Sequence, residues 1–156
     1  MKKEHLAILA AYLDNQETVI RRLLGEIGST TPENPEKISH MGYQLHNLYS
    51  SLEDFFQEVA KTFENRLEDP SRYHRELLKR MALEIPGVRP RVLSPASHAL
   101  LNELRGFRHV FRHAYDYELS PDKLEALKGK ILAEWDSVAR DLQNFKVFLQ
   151  EQIKKS

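Results

Sequence analysis

The stretch "LRGFRHVFRHAYDYEL", residues 104–119, concentrates side chains that can bind phosphate and move protons. These side chains are Arg105, Arg108, His109, Arg112, His113, Tyr115 and Tyr117. Arginine offers a fork of N–H donors to phosphate oxygens, and histidine exchanges a proton near neutral pH. A phosphate-binding surface, a catalytic site and a solvated helix face are all consistent with this composition.

Placing the stretch on a helix at about 100° per residue separates two faces. The apolar face holds Leu100, Leu104, Phe107, Phe111 and Ala114. The cationic face holds Arg105, Arg108, His109, Arg112 and His113. The pattern predicts a helix that buries its aromatic side and presents all of its cations to solvent.

The charge of the whole chain conceals a basic region. The 156 residues include 23 basic and 23 acidic side chains, so there is no global field to attract nucleic acid. Between Ile85 and Tyr115, however, there are five arginines and a single acidic residue, Glu103. Any contact with nucleic acid is therefore expected to be local.

Several classes of site are excluded by composition. The chain has no cysteine, which rules out disulfides, thiolate zinc sites and cysteine nucleophiles. It has no glycine-rich phosphate loop, no HExxH or GxSxG motif, and no Glu-x-x-His pair of the di-iron type. His109 and His113 are four residues apart, but the neighbouring arginines oppose a cation. We expect neither a metal nor a cofactor.

Apolar residues recur in steps of three and four along nearly the whole chain, which predicts an all-α protein. The last such series is Leu124, Leu127, Ile131, Trp135, Val138, Leu142, Phe145, Leu149 and Ile153. A capping side chain precedes a proline at Thr31-Pro32, Asp69-Pro70, Ser94-Pro95 and Ser120-Pro121. These signals predict five helices near 3–27, 33–67, 71–84, 95–114 and 121–154, with a loop at 84–93. We expect an antiparallel bundle forming one domain over 1–156.

The N-terminal sequence "MKKEHLAILAAYLDNQ" has a short apolar patch after two lysines. Glu4, His5 and Asp14 interrupt the patch, and no small-residue cleavage site follows it. No other apolar run approaches the roughly 18 residues that a membrane span needs. We expect a cytoplasmic protein whose first helix begins here.

The spacing Arg108-x4-His113-x-Tyr115 ("RHVFRHAY") resembles the R-x4-H-x-Y motif of HepT-like toxins. These are RNases of the HEPN superfamily, paired with MntA-type nucleotidyltransferase antitoxins. HEPN domains are small all-α bundles with this motif at the end of a helix, before a final helix. The order predicted above agrees. A looser match at Arg91 and His98 crosses a helix start and lacks the tyrosine.

The resemblance implies the toxin of a type VII-like toxin–antitoxin system, a metal-independent endoribonuclease acting as a homodimer on RNA. It implies that Arg108 binds the scissile phosphate bidentately and that His113 is the acid/base group. Arg105, His109 and Arg112 would support RNA binding. Two protomers would bring their motifs to one cleft and so double the local positive charge.

The resemblance also assigns a role to Tyr115. In the family, the antitoxin transfers AMP to the hydroxyl of the motif tyrosine, in a hetero-oligomer of toxin and antitoxin. The added phosphate and adenosine would neutralise and block the cleft. Tyr117 lacks the motif spacing. Two alternatives stay open: a non-catalytic HEPN-fold protein that binds nucleotide or RNA, and a helical adaptor without a ligand.

Overall fold

The computed structural model describes residues 2–64, 74–112 and 119–156, with the backbone alone of Arg112. Its helices are α1 (Lys3–Ser29), α2 (Pro35–Glu64), α3 (His74–Met81), α4 (Pro95–Arg112) and α5 (Pro121–Lys155). Within these ranges there is no strand, and the one β-bridge joins Ile85 to Arg89. The predicted all-α bundle of five helices is confirmed. No helix in the described ranges is long and apolar enough to cross a lipid bilayer.

The start of α2 differs from the prediction. The helix begins at Pro35, and the Asn34 side-chain oxygen accepts a hydrogen bond of 2.9 Å from the Lys37 amide. The start predicted at Thr31-Pro32 is therefore wrong. The chain carries two cap-proline pairs three residues apart, and the second, with its short amide side chain at the N-cap, is the one used. The predicted Asp69-Pro70 start lies outside the described residues.

The starts of α4 and α5 agree with the prediction. Ser120 accepts a hydrogen bond of 3.3 Å from the Lys123 amide at the first turn of α5. Ser94 has a partner on another helix. Its amide and its hydroxyl both donate to one carboxylate oxygen of Asp141 on α5, at 2.8 and 2.7 Å. The Ser94 hydroxyl also accepts from the Ser97 amide at 3.4 Å. A carboxylate of α5 thus fixes the position at which α4 begins.

Replacing Asp141 with alanine is expected to lower the free energy of unfolding by about 1.5–3 kcal/mol. The change leaves the Ser94 amide and hydroxyl without a charged acceptor, and hydrogen bonds to charged groups contribute about this much. Urea denaturation of the variant measures the loss. Asp136→Ala, at an exposed position of the same helix, is the matched control. An equal loss in both variants would contradict the role given to Asp141.

The centre of the bundle is α2, which contacts each of the other four helices. Its side chains Leu52 and Phe55 are almost fully buried. Phe55 meets Phe145 of α5 edge-on, with ring centroids 6.2 Å apart. Such aromatic pairs add stability beyond the apolar area they bury. The packing makes α2 the support against which α3 and α4 are placed.

The loop between α3 and α4 is held by a buried arginine. The Arg89 side chain is wholly buried; it donates to the Leu83 carbonyl at 3.0 Å and to a Glu64 carboxylate oxygen at 3.2 Å. Arg80 of α3 donates to the same Glu64 oxygen at 3.1 Å. Gly87, with φ of 77°, allows the turn that brings Arg89 inward. Arg89 therefore adds nothing to the exposed charge of the predicted basic region.

Candidate active site

The buried face of α4 continues through Arg108. Ser97, Leu101 and Leu104 are fully buried, and Arg108, four residues after Leu104, is only 5% exposed. The prediction that Arg108 lies on a solvent-facing arc is therefore wrong. Steps of four, three and four keep these residues on the side that packs against α2. An arginine at such a position has to find a partner inside the protein.

The partner is Glu53 of α2. Its two carboxylate oxygens accept from the two Arg108 Nη atoms at 2.9 and 3.1 Å, which makes a bidentate ion pair. Glu53 is itself only 5% exposed. The Arg108 guanidinium also lies 4.7 Å from the Tyr49 ring centre, and Nη1 is 3.5 Å from the Ser50 hydroxyl. The bidentate geometry and the aromatic face together compensate for removing both charges from water.

His74 of α3 completes this group. Its Nδ1 is 2.7 Å from a Glu53 carboxylate oxygen and 3.1 Å from Nη2 of Arg108. The His74 side chain is 27% exposed, so part of the ring faces outward. We call Tyr49, Glu53, His74 and Arg108 the Arg108 cluster. It joins α2, α3 and α4 at one point.

The field inside the Arg108 cluster affects its neighbours on α2. Burial, and then the Glu53 charge, raises the pKa of the Tyr49 phenol, while the charge of Arg108 acts in the opposite direction. Partial desolvation of a largely exposed group, and again the Glu53 charge, raises the pKa of the adjacent Asp54 carboxyl. Tyr49 is therefore a neutral phenol at physiological pH and contacts Arg108 through its ring face.

Beside the cluster lies an open pocket with an empty volume of about 280 Å³. It is lined by His74 of α3 and by Arg105, Arg108 and His109 of α4. Arg105 is half-buried and donates to a neutral acceptor, the Asn102 side-chain oxygen, at 2.9 and 3.2 Å. Every lining side chain can donate a hydrogen bond, and two of them always carry positive charge. The pocket suits an anionic group.

Of the residues predicted for the site, Arg105, Arg108 and His109 meet at this pocket. For Arg112 only the backbone, at the end of α4, is described. His113 and Tyr115 lie outside the described residues. Among those described, no group of three or more histidines or carboxylates could hold a metal ion.

Sequence reasoning did not identify Glu53 or His74. Glu53 could have been suspected, because it lies four residues after Tyr49 and three before Phe56, at an apolar position of the α2 stripe. An ionisable residue at such a position implies a buried partner. His74 carries no such signal, since no pattern in its own segment relates it to α2 or α4.

Residues 40–149 match the sequence family described as HepT-like protein. The matched span covers more than half of the chain, from within the first turns of α2 to the C-terminal part of α5, and includes the Arg108 cluster. The chain belongs to the HepT-like family. As a HepT-like protein of the HEPN superfamily it falls among HEPN-type toxins, in a toxin–antitoxin context. No curated protein and no solved structure matches the chain.

Proposed function

We propose that this HepT-like protein is the toxin of a type VII-like toxin–antitoxin system and a metal-independent endoribonuclease. The observation that carries the proposal is the cationic pocket at the end of α4, where Arg108 of the R-x4-H-x-Y motif lies beside Arg105 and His109. In the sequence, His113 and Tyr115 follow shortly after these residues. RNA cleavage without a metal needs cations at the phosphate and a proton-transfer group near it.

The role of Arg108 takes a more specific form than the motif alone implies. Glu53 accepts from both Nη atoms, so one of the two bidentate edges of the guanidinium is already occupied. A phosphate in the pocket that Arg108 lines has only the remaining donors available. Arg105 has no carboxylate partner among the described residues and supplies the net positive charge. We assign Arg108 to orientation of the phosphate and Arg105 to its neutralisation.

His113 is the proposed acid/base group, five residues after Arg108. His109 and Arg112 are proposed to support RNA binding. The active form is proposed to be a homodimer in which the pockets of both protomers face one cleft. Two copies of Arg105 and Arg108 in one cleft would give RNA a local field that a chain of zero net charge otherwise lacks.

All of 1–156 is proposed to form a single domain. The family match begins at residue 40 and leaves out α1. Nevertheless, α1 packs against both α2 and α5, and its Leu13 and Ile27 are fully buried in the common core. Removing α1 would expose the α2 side chains that it covers.

Tyr115 is the proposed site of control by an MntA-type nucleotidyltransferase. The enzyme would transfer AMP from ATP to the tyrosine hydroxyl and release pyrophosphate. A phosphate group placed two residues beyond His113 would compete with RNA for the same cations. The toxin and its antitoxin are proposed to form a hetero-oligomer.

The function is tested by comparing protein produced alone with protein produced together with an MntA-type nucleotidyltransferase. We expect the first to cut RNA in the presence of EDTA. The second should carry the mass of added AMP and leave RNA intact. Loss of cleavage on modification also excludes a contaminating nuclease. If neither preparation cuts RNA, the endoribonuclease proposal is wrong.

Replacing Tyr115 with phenylalanine is expected to abolish the added mass and to keep RNA cleavage active after co-production with the nucleotidyltransferase. The phenyl ring preserves the shape of the side chain and removes only the hydroxyl acceptor. Tyr117→Phe is the matched control and should still be modified and silenced. AMP found on Tyr117 instead, by peptide mass spectrometry, would contradict the assignment.

The burial of Arg108 in an ion pair also supports a second candidate function, which the same experiment can test. That burial would also suit a non-catalytic HEPN-fold protein in which Arg108 is structural and Arg105 and His109 hold RNA or a nucleotide. Such a protein would retain labelled RNA in a binding assay and release it uncut.

A further inference from the structure

His74 lies outside the R-x4-H-x-Y motif, yet it shares a pocket with Arg108. We propose that His74 is a second catalytic residue, the general base that takes the proton from the ribose 2′-hydroxyl of RNA. The inference rests on the proposed endoribonuclease function and extends it to a group on another helix. It is carried by the contacts of the His74 ring.

Those contacts determine which ring nitrogen carries the proton. Nδ1 is 2.7 Å from a Glu53 carboxylate oxygen, which can only accept. Nδ1 must therefore carry a hydrogen, because two lone pairs would repel at this distance. Nη2 of Arg108, 3.1 Å from Nδ1, donates to the same Glu53 oxygen, at 3.1 Å. Two donors thus converge on one carboxylate oxygen.

The other nitrogen, Nε2, is left with its lone pair. No hydrogen bond joins Nε2 to a described residue, and the ring is partly exposed at the wall of the pocket. A carboxylate that accepts from Nδ1–H fixes the ring orientation and leaves Nε2 as the proton acceptor. Glu53 is nearly inaccessible to solvent, so water screens this interaction little.

The reaction gives two histidines different tasks. Nε2 of His74 accepts the 2′-hydroxyl proton as the 2′-oxygen forms a bond to phosphorus. The bond from phosphorus to the 5′-oxygen breaks, and that oxygen takes a proton from protonated His113. The products are a 2′,3′-cyclic phosphate end and a 5′-hydroxyl end. In an in-line displacement the entering and leaving oxygens lie on opposite sides of phosphorus, so the reaction uses two proton-transfer groups, and His74 is assigned to the entering oxygen.

The surroundings of His74 fit this division. Arg105 and Arg108 stand beside the ring on α4 and can hold the phosphate, while Glu53 behind it belongs to α2. His74 thus approaches the pocket from α3, whereas His113 follows the end of α4.

The test is His74→Asn, which separates the two ring nitrogens. The asparagine Nδ2 takes the place of Nδ1–H and can still donate to Glu53, but nothing replaces Nε2. We expect kcat for RNA cleavage to fall by about a hundredfold or more with KM little changed. Thermal unfolding should stay close to that of the unmodified protein. His5→Asn, at an exposed position of α1, is the control and should cut normally.

A second variant, His74→Gly, separates chemistry from structure. Imidazole added to the buffer should restore cleavage in part, because a free base can occupy the vacated position. Product ends are read by their response to phosphatase after acid opening of the cyclic phosphate.

The outcomes distinguish this inference from the function on which it rests. Wild-type kcat in His74→Asn, with cleavage lost in His113→Ala, would overturn the His74 role alone. A lack of imidazole rescue in a folded His74→Gly variant would do the same. If the unmodified protein cuts no RNA, both proposals fall together.

Discussion

Replacing His113 with alanine is expected to lower the rate of RNA cleavage by about a hundredfold to ten-thousandfold, the usual contribution of a general acid or base. The side chain is the proposed donor to the 5′-oxygen. Without it the leaving oxygen departs as an unprotonated alkoxide. The measurement is single-turnover cleavage of a labelled RNA by the purified dimer. Expression of the variant in cells should no longer arrest growth.

The control for this prediction is His98→Ala, a half-buried histidine of α4 that does not line the pocket. It should cut RNA at nearly the wild-type rate. Unfolding curves of both variants show whether a loss of activity reflects chemistry or folding. An undiminished rate in His113→Ala would contradict the acid/base assignment.

Replacing Glu53 with alanine is expected to lower the free energy of unfolding by about 3–5 kcal/mol, the cost of leaving a buried charge without its partner. Arg108 is 5% exposed and would lose both of its charged hydrogen bonds. His74 would lose its acceptor as well. Urea denaturation followed by circular dichroism measures the change. Asp54→Ala, at the exposed neighbouring position, should cost far less.

A double variant separates two effects: the loss of the Glu53–Arg108 ion pair, and the cost of leaving the Arg108 charge buried without a partner. Glu53→Leu with Arg108→Met replaces both partners by apolar side chains of similar length, and such replacements are often neutral or stabilising. We expect it to recover most of the stability lost in Glu53→Ala, while its RNA cleavage stays low. If the Glu53→Ala and Asp54→Ala variants had the same free energy of unfolding, the ion pair would contribute nothing to stability.

Much of the fold could be predicted because its signals are local. Apolar residues in steps of three and four locate the helices, and Ser94 and Ser120 mark two starts through their own side chains. The predicted start of α2 at Thr31-Pro32 is wrong because "TPENP" contains two capping side chains, each of which precedes a proline. Local sequence does not decide between them, and the structure uses Asn34.

The site could be predicted only in part. Arg105 and His109 lie at the pocket as the helical placement implied, because their position depends on α4 alone. The burial of Arg108 depends on Glu53, 55 residues earlier in the chain. A helix considered alone does not reveal how wide its covered face is, since that depends on the neighbouring helix. His74 was missed for the same reason.

Two carboxylates of α2, those of Glu53 and Glu64, affect how the pocket binds a ligand. Glu53 holds His74 and Glu64 holds Arg80, six residues further along α3. The described part of α3 is thus tied to α2 at two points and cannot swing outward as a lid without breaking one of these contacts. The His74 wall stands in its final place before any ligand arrives. Ligand binding then carries no entropic cost for ordering that wall, which favours affinity.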